Sequence, residues 1–91
     1  MAKSIVQKEK CCLVCRTKLN LQKHHIFGGP NRKISDEYGL VVYLCAEHHT
    51  GQHGVHFDKG FMQDLHELGQ IAFEEKYDRA TFIQRFGKNY L

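Results

Sequence analysis

All four cysteines and six of the seven histidines of this 91-residue chain fall between Cys11 and His56. Hydrophobic packing does not require that clustering, whereas metal coordination and proton transfer do. A chain this short lies below the size at which an apolar core is comfortable alone, so a staple is expected. The densest stretch is Tyr43–His56, YLCAEHHTGQHGVH. Within it Cys45 and His48 are three apart, so on a helical turn they share a face and can hold one ion. His49 is rotated from His48 by about 100° on an α-helix and must therefore serve something else. The other half of the staple is Cys11-Cys12-Leu13-Val14-Cys15-Arg16, which reads as a metal knuckle. Cys12 and Cys15 have Cys-x2-Cys spacing, and Cys11 would give x3, which is also workable. The preferred set is Cys12, Cys15, Cys45 and His48 around a structural Zn²⁺, with Cys11 as a buried thiol or spare ligand.

Composition narrows the alternatives. Four cysteines in an exported chain could form two disulfides, but Met1–Lys10 carries Lys3, Lys8, Glu9 and Lys10 and no long apolar run. That is not an export signal, and Cys-x-x-Cys opposite Cys-x-x-His favours metal over disulfide. No segment approaches the roughly 20 apolar residues of a membrane span, so no membrane partner is expected. The net charge of +3 is compatible with a polyanionic partner without establishing one.

Read in order, the chain forms one unit, residues 1–91, without repeats or low-complexity linkers. Met1–Lys10 is expected to be loosely held, with Ile5 and Val6 as its anchors. His25-Ile26-Phe27 has extended character and ends at Gly28-Gly29-Pro30-Asn31, with Arg32 and Lys33 in that loop. Leu40–Leu44 is the clearest strand and delivers Cys45 into the organising stretch. Ala46–Gly51 can form a short helical turn, limited by Gly51 and Gly54. From Asp58 the pattern becomes helical: Phe61, Leu65, Leu68 and Ala72 form a stripe, widened by Met62 and Phe73. Gln63, Asp64, Glu67, Gln70 and Glu74 are expected to face away. Gly69 costs that helix about 1 kcal/mol against alanine, which is expected to mark a close approach to another element. Asp78 is a good N-cap for a last helix, Arg79–Phe86, with Phe82 and Phe86 on one face and Gly87 as its stop. His66 reads as a packing or surface histidine.

The order Cys-x2-Cys, His-His-Ile, a Gly- and Asn-containing loop, a strand ending Leu-Cys, then x2-His-His resembles the HNH nucleases of the ββα-metal class. The similarity covers about Cys12–His56. The wording HHIFGGPNRKISDEYGLVVYLCAEHHTGQHGVHF also looks like small phage and prophage HNH-type proteins, including relatives of the RecA-dependent phage nucleases. The resemblance implies an α+β fold with a zinc-stapled, treble-clef-like ββα-metal core, about residues 11–56, and a helical extension, about 58–91. It makes His25 the general base, which must be neutral to accept a proton from water. His24 would bind a catalytic divalent metal (Mg²⁺, Mn²⁺ or Zn²⁺) with His49. His53 would join them if the helix survives Gly51, and His56 is the substitute if it does not. The products would carry 5′-phosphate and 3′-hydroxyl ends.

The family's middle asparagine usually precedes the second strand, where this chain has Glu37-Tyr38-Gly39-Leu40. Asn31 is the only asparagine in the loop. Either it orients His25 from an unusual position, or a backbone carbonyl or another side chain does so. Arg32 and Lys33, with Arg16 and Lys18, are the cations placed for phosphate contact. Asp36, Glu37 and Glu47 are expected to face solvent.

The leading expectation is thus a metal-dependent DNA endonuclease in the cytoplasm of a bacterial or phage-infected cell. DNA is its partner, together with a phage or host recombination protein. The alternative is a non-catalytic zinc module that binds DNA or protein, and a disulfide-stapled secreted protein comes third.

Overall fold

The computed structural model describes residues 4–51, 54–56 and 58–91. Its described residues form an α+β fold around a two-stranded antiparallel sheet. The strands are β1 (Leu21–His25) and β2 (Val41–Cys45). The helices are α1 (Arg32–Tyr38), α2 (Ala46–His49), α3 (Lys59–Lys76) and α4 (Arg79–Phe86). No helix among the described residues is long and apolar enough to cross a membrane.

The register sets His24 opposite Val42 and His25 opposite Val41. Because side chains alternate across a strand, Gln22 and His24 share one face, and Lys23 and His25 the other. The amino-terminal segment is more firmly tied than its polarity predicts. The Ser4 hydroxyl donates to the Val41 carbonyl, Ile5 N–H donates to the Gly39 carbonyl, and Tyr43 N–H donates to Gln7 Oε1. These bonds satisfy backbone groups along the outer edge of β2 that a bare edge strand would leave open.

The connection between the strands also departs from expectation. Gly29–Asn31 is a single 3-10 turn, and Arg32 and Lys33 open α1 instead of lying in a loop. That helix is fixed through buried Ser35, whose hydroxyl accepts from Phe27 N–H at 3.0 Å.

The core joins β2, Ile26 and Phe27 to one face of α3 and to Phe82 and Phe86 of α4. Asp58 and Asp78 cap their helices by accepting from Phe61 N–H and Thr81 N–H. Gly87 ends α4 in the left-handed region, as the sequence suggested. The buried face of α3 is rotated from the expected stripe: it carries Leu65, Gly69, Gln70 and Phe73, while Leu68 is exposed. Gly69 explains the rotation. A Cβ there would lie 2.9 Å from Ile26 Cγ2 and 3.1 Å from Phe27 Cε2, so the bare backbone is what lets these side chains approach. Gln70, expected outside, is fully buried because its amide is satisfied on every side. Its Nε2 donates to Glu74 and Asn89, and its Oε1 accepts from Tyr90 N–H.

Candidate metal centres

Two clusters of metal-ligating side chains flank the sheet. In the first, one donor atom from each of Cys12, Cys15, Cys45 and His48 lies within 4.8 Å of the others. Local backbone chemistry builds it. Cys12 N–H donates to the Thr17 carbonyl and Arg16 N–H to the Cys12 carbonyl, closing a tight knuckle with Arg16 in the left-handed region at φ 66°. Leu13 N–H then donates to Tyr43 O at 2.9 Å, which docks the knuckle on β2. Cys45 ends that strand, and His48 follows on α2. The contacts are 3.8 Å for Cys15 Sγ to Cys45 Sγ, 3.7 Å for Cys12 Sγ to His48 Nδ1, and 3.1 Å for Cys45 Sγ to His48 Nδ1. All four cysteines are free thiols. Burial works against a Cys12 thiolate, but backbone bonds from Cys15, Cys45 and Val14 outweigh it and bring the pKa down to about 6. Cys15 is favoured as a thiolate by a Thr17 backbone bond, yet its pKa rises because burial and the Cys12 and Cys45 thiols oppose a further charge. Such a cluster can hold a metal ion, since the second thiolate becomes affordable only with a cation between them. Cys11 stays outside it, buried with its carbonyl accepting from Gln7 Nε2.

The second cluster is His24, His49 and His56, again with donor atoms within 4.8 Å of one another. His49 Nε2 and His56 Nε2 are 3.3 Å apart, and the His24 ring centroid lies 5.2 Å from that of His49 and 5.4 Å from that of His56. The segment after α2 explains how His56 arrives. Thr50 and Gly51 N–H groups both donate to the Ala46 carbonyl, which ends the helix, and Val55 N–H returns to the His48 carbonyl. Gly54 permits this return, because a Cβ there would lie 2.6 Å from the His49 carbonyl oxygen. The helix therefore ends before Gly51, and His56 comes to lie beside His24 and His49. His53 lies outside the described residues.

His24 is 6% exposed, and its Nε2 is buried without a hydrogen-bond partner among the described residues. Burial first, then the neighbouring His49 and His56, holds its pKa down to about 4, so the ring is neutral at pH 7. Burial and His56 lower His49 as well. Gln22 Oε1, two residues before His24 on the same face, sits 2.5 Å from His49 Nδ1. That contact holds the proton on Nδ1 and leaves Nε2 free as a donor atom. The alternation of the strand points to Gln22, yet sequence reasoning passed over it.

His25 is not part of this cluster. It projects from the opposite face of β1, where its Nε2 is 3.4 Å from Asp36 Oδ1. Lys23 Nζ bonds the same oxygen at 2.5 Å, and that bond, followed by the His25 contact, keeps the Asp36 carboxyl below its ordinary range. Asp36, expected to face solvent, is thus the partner of His25. Of the alternatives left open for orienting His25, the contact seen is with Asp36, while the Asn31 amide donates to the Phe86 carbonyl at 3.2 Å and ties the turn to α4. Arg32 and Lys33 border the groove containing His25 and Asp36, on the His25 side of the strand.

No family model matches the chain, and neither a curated protein nor a solved structure matches it.

Proposed function

We propose that this chain is a metal-dependent DNA endonuclease of HNH type, with a zinc-stapled, treble-clef-like ββα-metal core and a helical extension. The carrying observation is the convergence of His24, His49 and His56 around a buried imidazole nitrogen that has no other described partner. Among the described residues three imidazoles converge, a number that leaves coordination positions open as a hydrolytic site needs, whereas three thiolates and an imidazole close a structural one. The spacings suit an ion in each cluster. Around tetrahedral Zn²⁺, bonds of about 2.3 Å to sulfur and 2.0–2.1 Å to nitrogen give edges of about 3.8 Å between sulfurs and 3.3 Å between nitrogens. The corresponding distances here are 3.8 Å for Cys15–Cys45 and 3.3 Å for His49–His56.

His24, His49 and His56 would hold a divalent ion, which when bound would supply positive charge to the scissile phosphate and the leaving oxygen. The chain's own residues do the rest. His24 and His49 are neutral at pH 7 and offer lone pairs, and Gln22 keeps the His49 ring in the required tautomer. His25 takes the proton from the attacking water, with Asp36 favouring the proton on Nε2 and leaving Nδ1 as the acceptor. For both faces of β1 to act together, the phosphodiester must lie across the end of the strand at His25. Arg32 and Lys33 then contact the backbone on the His25 side. DNA is the substrate, and selective cutting draws on a phage or host recombination protein.

One feature favours the second reading, a non-catalytic zinc module that binds DNA or protein: His25 faces Asp36 and not the imidazole cluster. Supercoiled plasmid incubated with the protein and Mg²⁺ or Mn²⁺ separates the two. The nuclease reading expects nicking by the wild type, and loss of nicking in His49→Ala and His25→Ala while zinc is retained. An inactive wild type under every metal tried leaves only the module.

A further inference from the structure

His66 is the one histidine that the sequence pattern leaves without chemistry, and its surroundings are more specific than packing requires. Its ring stacks on Phe27 at 5.2 Å with planes 14° apart and meets Tyr90 at 4.7 Å. The Ile26 carbonyl accepts from one of its nitrogens. Three neighbours therefore fix a half-buried imidazole in a single orientation. The groove beside it is lined by His56, Lys59, His66, Lys88 and Tyr90, and none of its lining residues is acidic. His56 belongs to the three-imidazole cluster, so the groove opens directly from that site. Lys88 lies over the Tyr90 ring at 5.0 Å, which keeps its ammonium at the groove wall.

We propose that this groove, between α3 and the carboxy-terminal tail, is a subsite for a backbone phosphate of DNA, with Lys59 and Lys88 as its cations and the fixed His66 ring as its wall. The proposal rests on the nuclease reading for the identity of its ligand. A phosphodiester seated at the imidazole cluster continues as a chain of phosphates, and each neighbouring phosphate needs a cation. Arg32 and Lys33 border the His25 groove, so they serve the other side of the strand. The groove beside His66 is open and cationic, and it adjoins the face of β1 that carries His24. It thus supplies the half of the track that the basic turn does not.

The test is binding of a fluorescent DNA duplex of about 20 base pairs, followed by anisotropy over a salt series, with zinc content and circular dichroism confirming that each variant is folded. Removing a lysine that neutralises a phosphate lowers the slope of log K against log salt by about 0.9, so Lys59→Ala/Lys88→Ala together are expected to lower it by about 1.8. If the double variant keeps the wild-type slope and affinity, or if the wild-type protein does not bind the duplex at low salt, the subsite is overturned. Cleavage is scored separately on plasmid. Binding with the expected slope change but without cleavage contradicts the nuclease reading and leaves the subsite standing.

Discussion

The two clusters are made of similar side chains but rest on different supports. Cys12 and Cys15 sit on a knuckle closed by its own backbone bonds and docked on β2 through Leu13, and Cys45 and His48 follow directly from that strand. His24 also comes from a strand, but its companions come from the short α2 and from the segment folded back after it, where His56 is exposed. The first arrangement is closed and welded to the sheet. The second draws His56 from a surface segment, and among the described residues it leaves the buried His24 Nε2 without a partner. Similar donor chemistry therefore rests on a rigid support in one cluster and on a surface segment in the other.

The largest expected consequence falls on the first cluster. Structural Zn²⁺ contributes apparent binding energies of about 10–16 kcal/mol, comparable with the entire stability of about 5–15 kcal/mol of a typical protein. Chelation, or Cys45→Ser, is expected to abolish the cooperative thermal transition followed by circular dichroism. If the melting curve survives chelation, the contrast between the clusters disappears.

The second cluster should behave in the opposite way. His49→Ala is expected to lower metal affinity at that site by about 100-fold or more, because loss of an outer-shell partner alone costs about 10–100-fold. The thermal midpoint should hardly move. Calorimetric titration with Mn²⁺ or Zn²⁺ beside a thermal melt measures both quantities, and a collapse of the fold would show that this site is also structural.

The unsatisfied nitrogen gives a pH signature. The folded His24 pKa is depressed to about 4, so between about pH 6.5 and 4 the unfolded chain binds more protons than the folded one. The stability linked to His24 is complete above about pH 6.5 and is lost as pH falls toward 4. Urea midpoints for wild type and His24→Gln should converge across that window, whereas a constant offset would contradict burial of a neutral ring.

A smaller effect is expected far from either cluster. Gly69→Ala gains about 1 kcal/mol of helix propensity but adds a methyl 2.9 Å from Ile26 Cγ2, and overpacking costs about 1–3 kcal/mol. Destabilisation of about 0–2 kcal/mol in urea unfolding is the expected net result. Clear stabilisation would show that Ile26 yields freely.

These outcomes reflect what spacing can and cannot encode. The Cys12, Cys15, Cys45 and His48 set was legible because short local offsets determine which donors share a turn. The helix caps at Asp58 and Asp78 were legible for the same reason. The shortness of α2 was legible too, because Gly51 and Gly54 limit any helix there. Helix α1 was hidden because seven residues after Gly-Gly-Pro are too few to display a period. The phase of α3 was misjudged because Gly69, rightly read as a close approach, was left off the buried stripe, and Gln70 was read as outward-facing. One is buried as a gap for Ile26 and Phe27, and the other because Asn89 and Tyr90 return to satisfy it. The pairing of His25 with Asp36 depends on α1 and was out of reach for the same reason as that helix.

Metal stoichiometry by native mass spectrometry tests the central claim most directly. Two ions per chain are expected for the wild type, one tightly held and one exchangeable, with His49→Ala retaining only the tight one. A wild type that never takes up a second ion, or a His49→Ala variant that still holds two, would contradict the existence of a distinct three-histidine centre.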